Sequence, residues 1–125
     1  VFIGEVARQT GLSVKAIRFY EQKGLIKKPL RQGRYRVYTA SDVEVLKLIR
    51  EAKELGVTLA KLKGVIVYQN DQVDWERINL FLQQLKIEMQ EQVLRISNNI
   101  AKVSQCIRTI ESCPKVLDSA VKGRA

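Results

Sequence analysis

Histidine is absent from the 125 residues, and cysteine occurs only at Cys106 and Cys113. Two thiols are too few for a disulfide framework, and without imidazole the thiolates are the soft donors left for any metal. Aromatic residues make up only 6% of the chain, so the core is expected to be aliphatic. No apolar run approaches the roughly 18 residues of a membrane span. Val1 to Leu12 shows helical spacing with polar interruptions, unlike the apolar stretch of a secretion signal. A cytoplasmic protein with no membrane partner is the expectation. Because the chain begins at Val1 rather than Met, a few residues are expected to precede it. There is no glycine-rich phosphate loop, and the acidic pair Asp71/Asp74 falls in an expected linker, so an enzyme is not expected.

Acidic residues are scarce where basic ones are dense. The net charge is +9, and residues 1 to 40 hold nine Lys/Arg but only Glu5 and Glu21. The remainder is close to balanced. A field concentrated at one end attracts a polyanion to that end, nucleic acid being the commonest such partner, although an anionic membrane surface could use the same charge. At this length one domain's worth of core is available.

The pattern along the chain is helical. Ile3, Val6 and Ala7 share a helical face, and Gly11 ends that helix near Thr10. Ser13 is suited to cap a second helix with Ala16, Ile17 and Tyr20 facing inward, and Gly24 is placed to stop it. Pro29 ends regular structure. Around Gly33 a two-stranded wing is expected, with Arg34, Tyr35, Arg36, Val37 and Tyr38 alternating. Ser41, or Thr39, caps a helix carrying Val43, Val45, Leu46, Leu48, Ile49 and Ala52 up to Gly56. Thr58 opens another with Leu59, Leu62, Val65 and Ile66. Asn70-Asp71-Gln72 reads as a polar break.

From Trp75 to Ser112 there is neither Pro nor Gly. Apolar residues recur at Leu82, Leu85, Met89, Val93, Ile96, Ile100, Val103, Ile107 and Ile110, a heptad seam with one four-residue slip. Such a helix extends on the order of 55 Å. A head of this size cannot cover the seam, and a second copy is the economical partner. The fold class is therefore mainly α: a winged helix-turn-helix domain with two further helices over residues 1–70, a dimerisation helix over 75–112, and a tail over 113–125.

Lys15 and Arg18 are three apart on one helical face, and arginine can bond guanine edges in pairs while lysine neutralises phosphate. On an alternating strand Arg34 and Arg36 share a face opposite Tyr35, suiting a wing that lies along a DNA backbone. Each feature alone also reads as a solvated surface, and Tyr20 and Tyr38 read equally as core.

Val6-Ala7, Gly11-Leu12-Ser13, Ile17-Arg18-Phe19-Tyr20-Glu21-Gln22-Lys23-Gly24-Leu25 and Tyr35-Arg36-Val37-Tyr38-Thr39 strongly resemble the DNA-binding half of MerR-family transcription regulators. The resemblance covers residues 1 to about 66, and the long helix matches the family's antiparallel dimerisation coiled coil in kind. It implies a homodimer that binds an inverted repeat in double-stranded promoter DNA and distorts it when an effector is sensed, realigning the promoter for RNA polymerase. It also implies DNA contacts by Ser13, Lys15, Arg18 and Tyr20 on the second helix and by Arg34, Tyr35 and Arg36 in the wing; Arg31, in the same arginine-tyrosine hairpin, is a further candidate contact. The wing is one residue shorter than the common family form.

By the same resemblance Cys113, followed by Pro114, stands where metal-sensing members begin a metal-binding loop. Lys115 to Ala125 contains no Cys, His or Met, and Trp75 to Asn79 contains no Cys. Cys106 lies seven residues before Cys113, about 10 Å away on a continuous helix and beyond the ~7 Å limit for a disulfide. Next to seam position Ile107, Cys106 also reads as a small packed residue. Three effector readings stand open: a thiophilic metal (Cu(I), Zn, Cd, Pb or Hg) held by Cys113 and Cys106, a redox or electrophile signal at Cys113, and an organic ligand near the coiled coil. An architectural DNA-binding protein is the alternative of a different class.

Overall fold

The computed structural model describes residues 1–112, which form five helices and two small antiparallel hairpins. The order is α1 (Ile3–Thr10), α2 (Val14–Gln22), β1 (Leu30–Gln32), β2 (Tyr35–Val37), α3 (Ala40–Glu54), α4 (Leu59–Val65), β3 (Tyr68–Gln69), β4 (Gln72–Val73) and α5 (Trp75–Ser112). The chain divides into two compact units, Val1–Phe81 and a second beginning at Leu82.

Local chemistry sets the boundaries in the first unit. Ser13 accepts from the Ala16 N–H, Thr58 from the Lys61 N–H, and Asp74 from the Arg77 N–H, each satisfying a donor that its helix leaves free. For α3 the cap is Thr39, not Ser41. Its hydroxyl accepts from the Asp42 N–H while the Asp42 carboxylate accepts from the Thr39 N–H, closing a capping box. Ser41 lies inside the first turn. At the far end of α2, Gly24 takes φ +80°, and the N–H groups of Gly24 and Leu25 return to the carbonyls of Glu21 and Tyr20. That reversal satisfies two otherwise unpaired carbonyls.

Helices α1 to α4 enclose an aliphatic core in which Val6, Ile17, Leu25, Ile26, Val45, Leu46, Ile49 and Leu62 are shielded from solvent. Ile78 joins the buried set from the start of α5. The polar break at Asn70-Asp71-Gln72 is a second hairpin: Asn70 and Asp71 both have positive φ and turn β3 into β4. Two consecutive left-handed residues match the right-handed twist of a two-residue hairpin.

In the second unit, α5 continues to Ser112. From Val93 to Ile110 its seam residues are between 50% and 64% exposed within the single chain. Ile87 and Leu94, seven residues apart, are also exposed.

Candidate nucleic-acid interface

Arg50 on α3 donates from Nη1 to the Thr10 carbonyl at 3.0 Å, closing the C-terminus of α1. Gly11, at φ +74°, lets the chain turn there, and a Cβ on it would meet that guanidinium at 2.4 Å. The turn presents α2 with Ile17 fully buried and Lys15 and Arg18 exposed. Among the described residues neither cation is in a salt bridge. Ala16 and Tyr20 are half-buried rather than fully inside. Phe19 stands 42% exposed beside Tyr20, with the Lys23 ammonium 5.5 Å from its ring centre.

The wing pairs Leu30 with Val37, Arg31 with Arg36 and Gln32 with Tyr35. Gly33, at φ +64°, and Arg34 form the two-residue turn. Arg34 therefore leaves the alternation expected of it. It projects from the tip, its carbonyl accepting from Arg31 at 3.4 Å, while Arg36 lies on the strand. Val37 also bridges to Phe2, whose ring lies 5.8 Å from that of Tyr35. Tyr35 itself is well exposed.

Helix and wing are joined by Glu21, in the last turn of α2. Its carboxylate accepts from Arg36 Nε at 3.1 Å and from the Tyr38 hydroxyl at 3.4 Å. Burial, followed by the nearby Glu21 charge, pushes the Tyr38 phenol up to about 12, so it remains a donor. Beside this junction is an open cleft of about 340 Å³ lined by Glu21, Gln22, Lys28, Pro29, Arg31 and Arg36. On the other side of the loop that follows α2, Lys27 donates to the Asp71 carbonyl and the Tyr68 hydroxyl to the Leu25 carbonyl. These bonds tie the second hairpin to the segment after α2. Burial also raises the Tyr68 phenol to about 12.

The structure thus places Ser13 at the cap of α2, Lys15, Arg18 and Tyr20 on α2, and Arg31, Arg34, Tyr35 and Arg36 on the wing. Glu21 and Lys28 are additions that helical and strand spacing did not single out. The available signals for Glu21 are its rarity, as one of two acidic residues in the first forty, and its place in the Ile17-to-Leu25 motif.

Cys106 is exposed on α5, and Cys113 lies outside the described residues. Among the described residues no three His, Cys, Asp or Glu side chains gather as a metal site would require. No described helix is long and apolar enough to cross a membrane.

Residues 2–69 match the family model described as MerR HTH family regulatory protein. Over 70 residues the chain is 44% identical to the HTH-type transcriptional regulator CueR of Salmonella typhi, covering 55% of this chain and 51% of that protein. Over 71 residues it is 39% identical to heavy metal-dependent transcription regulator 2 of Rhizobium meliloti (strain 1021), covering 56% of this chain and 48% of that protein. The chain spans about half the length of these curated relatives. Among solved structures, a MerR family transcriptional regulator from Bacillus cereus superposes with a TM-score of 0.54 at 30% identity, covering 82% of this chain and 73% of that one.

Proposed function

The chain belongs to the MerR HTH family of regulatory proteins, and from that premise we propose that it is a homodimeric transcription regulator binding double-stranded promoter DNA through α2 and the wing. The observation that carries this reading is one joined surface: a capped helix whose Lys15 and Arg18 are in no salt bridge among the described residues, fixed through Glu21 to a hairpin bearing Arg31, Arg34, Tyr35 and Arg36. An α-helix fits the major groove, and a basic hairpin beside it can follow the backbone. Arg18 would bond base edges and Lys15 a phosphate. Ser13 uses an oxygen lone pair as its cap and keeps its O–H proton for a phosphate oxygen. Tyr20, half-buried, would present its hydroxyl at the helix edge. Arg31, Arg34, Tyr35 and Arg36 would engage backbone and sugar.

Residues 1–70 then form the DNA-binding domain, 75–112 the dimerisation helix and 113–125 the effector-proximal tail. The exposed seam of α5 is suited to the same seam of a second copy, antiparallel. A thiophilic metal is the effector proposed first, because a relative over the DNA-binding half is named for heavy-metal dependence. Cys113, with Cys106 as the other thiol, would supply the soft ligands, and the metal would change the geometry of bound DNA so that RNA polymerase can use the promoter. A redox, electrophile or organic signal is the alternative.

Run-off transcription from a promoter carrying a selected operator tests the proposal. Reduced protein should raise output on addition of Cu(I), Zn(II), Cd(II), Pb(II) or Hg(II) without changing operator occupancy, and Cys113→Ser should abolish the response. Bending of the duplex without any change in transcription would identify an architectural protein instead. A response to oxidants but to none of the metals would transfer the effector role of Cys113 to redox sensing.

A further inference from the structure

Glu21 is a carboxylate in the middle of a surface otherwise built for a polyanion. Its side chain is 10% exposed and that of Arg36 is 26% exposed. Arg36 Nε lies 3.1 Å from one carboxylate oxygen and 3.3 Å from the other, while its terminal nitrogens have no hydrogen-bond partner among the described residues. Directly across the wing, Arg36 pairs with Arg31, and Lys28 lines the same cleft. Two arginines opposite each other on a hairpin repel, and Glu21 offsets that repulsion. It also cancels the Arg36 charge beyond contact distance, because a close ion pair presents little net field to a distant phosphate.

We propose that Glu21 is a specificity-determining residue of the DNA interface: it masks Arg36 from arbitrary duplex while holding the guanidinium so that its terminal N–H groups meet a phosphate only when helix and wing are both seated. The assignment rests on the DNA-binding reading above. Non-specific affinity scales with the number of cations that neutralise phosphates, whereas a fixed, charge-masked donor contributes when the geometry fits. Glu21 thereby widens the gap between the two modes of binding.

Glu21→Gln tests this. The amide oxygen can still accept from Arg36 and Tyr38, so shape is retained and only the charge is lost. Binding of fluorescein-labelled random-sequence duplex and of a duplex selected in vitro would be followed by anisotropy from about 50 to 200 mM salt. The variant should bind random duplex more tightly, with a log-log salt slope steeper by about 0.9 per protomer. Its advantage over wild type should then be greatest at low salt and shrink about 3.5-fold per protomer as salt rises across that range, and the selected-to-random affinity ratio should fall. Glu44→Gln, which removes the same charge from the Lys47-paired carboxylate on α3, should leave the slope unchanged. An unchanged or shallower slope in Glu21→Gln, or equal steepening in Glu44→Gln, overturns the assignment.

A second pair of variants does not depend on Glu21→Gln folding. Arg36→Gln should lower selected-duplex affinity with little effect on the random-duplex slope, whereas Arg34→Gln at the wing tip should make that slope shallower. Equal shallowing by both overturns the proposal. If wild type binds neither duplex, the DNA-binding reading fails and this assignment falls with it; if wild type binds both and Glu21→Gln changes nothing, only the assignment falls.

Discussion

Replacing Ile100 with Asp should separate the proposed dimer. Ile100 lies in the middle of the seam and is 60% exposed in the single chain. Burying that fraction of an isoleucine contributes about 2 kcal/mol, and a symmetric dimer buries two copies, for about 4 kcal/mol. That corresponds to about a thousandfold in dissociation constant, and the cost of desolvating two introduced carboxylates adds to it. Asn98→Asp, on the opposite face of α5 from Ile96 and Ile100, introduces the same charge and should leave the dimer intact. Sedimentation velocity over a concentration series would give both dissociation constants. Far-ultraviolet circular dichroism should show helix loss confined to Ile100→Asp, since a long helix without a partner frays. A dimer of unchanged affinity in Ile100→Asp would refute the seam as the contact.

Two further predictions concern the head. Gly24→Ala should cost roughly 1 kcal/mol, because φ +80° strains any residue with a Cβ while nothing lies within 4 Å of the added atom. Gly11→Ala should cost more, since the new methyl also displaces the Arg50 guanidinium from the Thr10 carbonyl; thermal melts of the two variants would order them. Tyr38 and Tyr68 are raised from 10.0 to about 12, chiefly by burial. The folded state holds these phenols neutral, so the stability they contribute is complete below the unfolded value and is lost as pH rises through about 12. Tyr68→Phe should therefore flatten the alkaline loss of stability, at a neutral-pH cost of about 0.5–1.5 kcal/mol for the lost bond to the Leu25 carbonyl; denaturant melts at neutral and alkaline pH would show both effects.

What was legible in the sequence was local. Ser13, Gly24 and Thr58 act through backbone groups a few residues away, and their chemistry alone identifies them as helix ends. The α5 seam was legible because its period repeats over four turns and more. Thr39 and Ser41 competed as caps, and the deciding residue was Asp42, three beyond Thr39, which completes the reciprocal box. Alternation continues back to Arg34 and so places it on the strand, but the Gly33 turn occupies two residues and takes Arg34 with it. β3 and β4 contain two residues each, too few for alternation to register. The Glu21–Arg36 pair spans fifteen residues and depends on how the wing folds against α2, which no helical or strand period encodes.

The most direct test of the DNA-binding account is the affinity of Arg18→Ala for a duplex selected in vitro with the wild-type protein, beside its affinity for random duplex. The account predicts a loss of about 1–3 kcal/mol on the selected duplex, largest where one base pair is read, with a smaller loss on random sequence. Equal affinity of variant and wild type for the selected duplex would contradict the claim that α2 reads DNA.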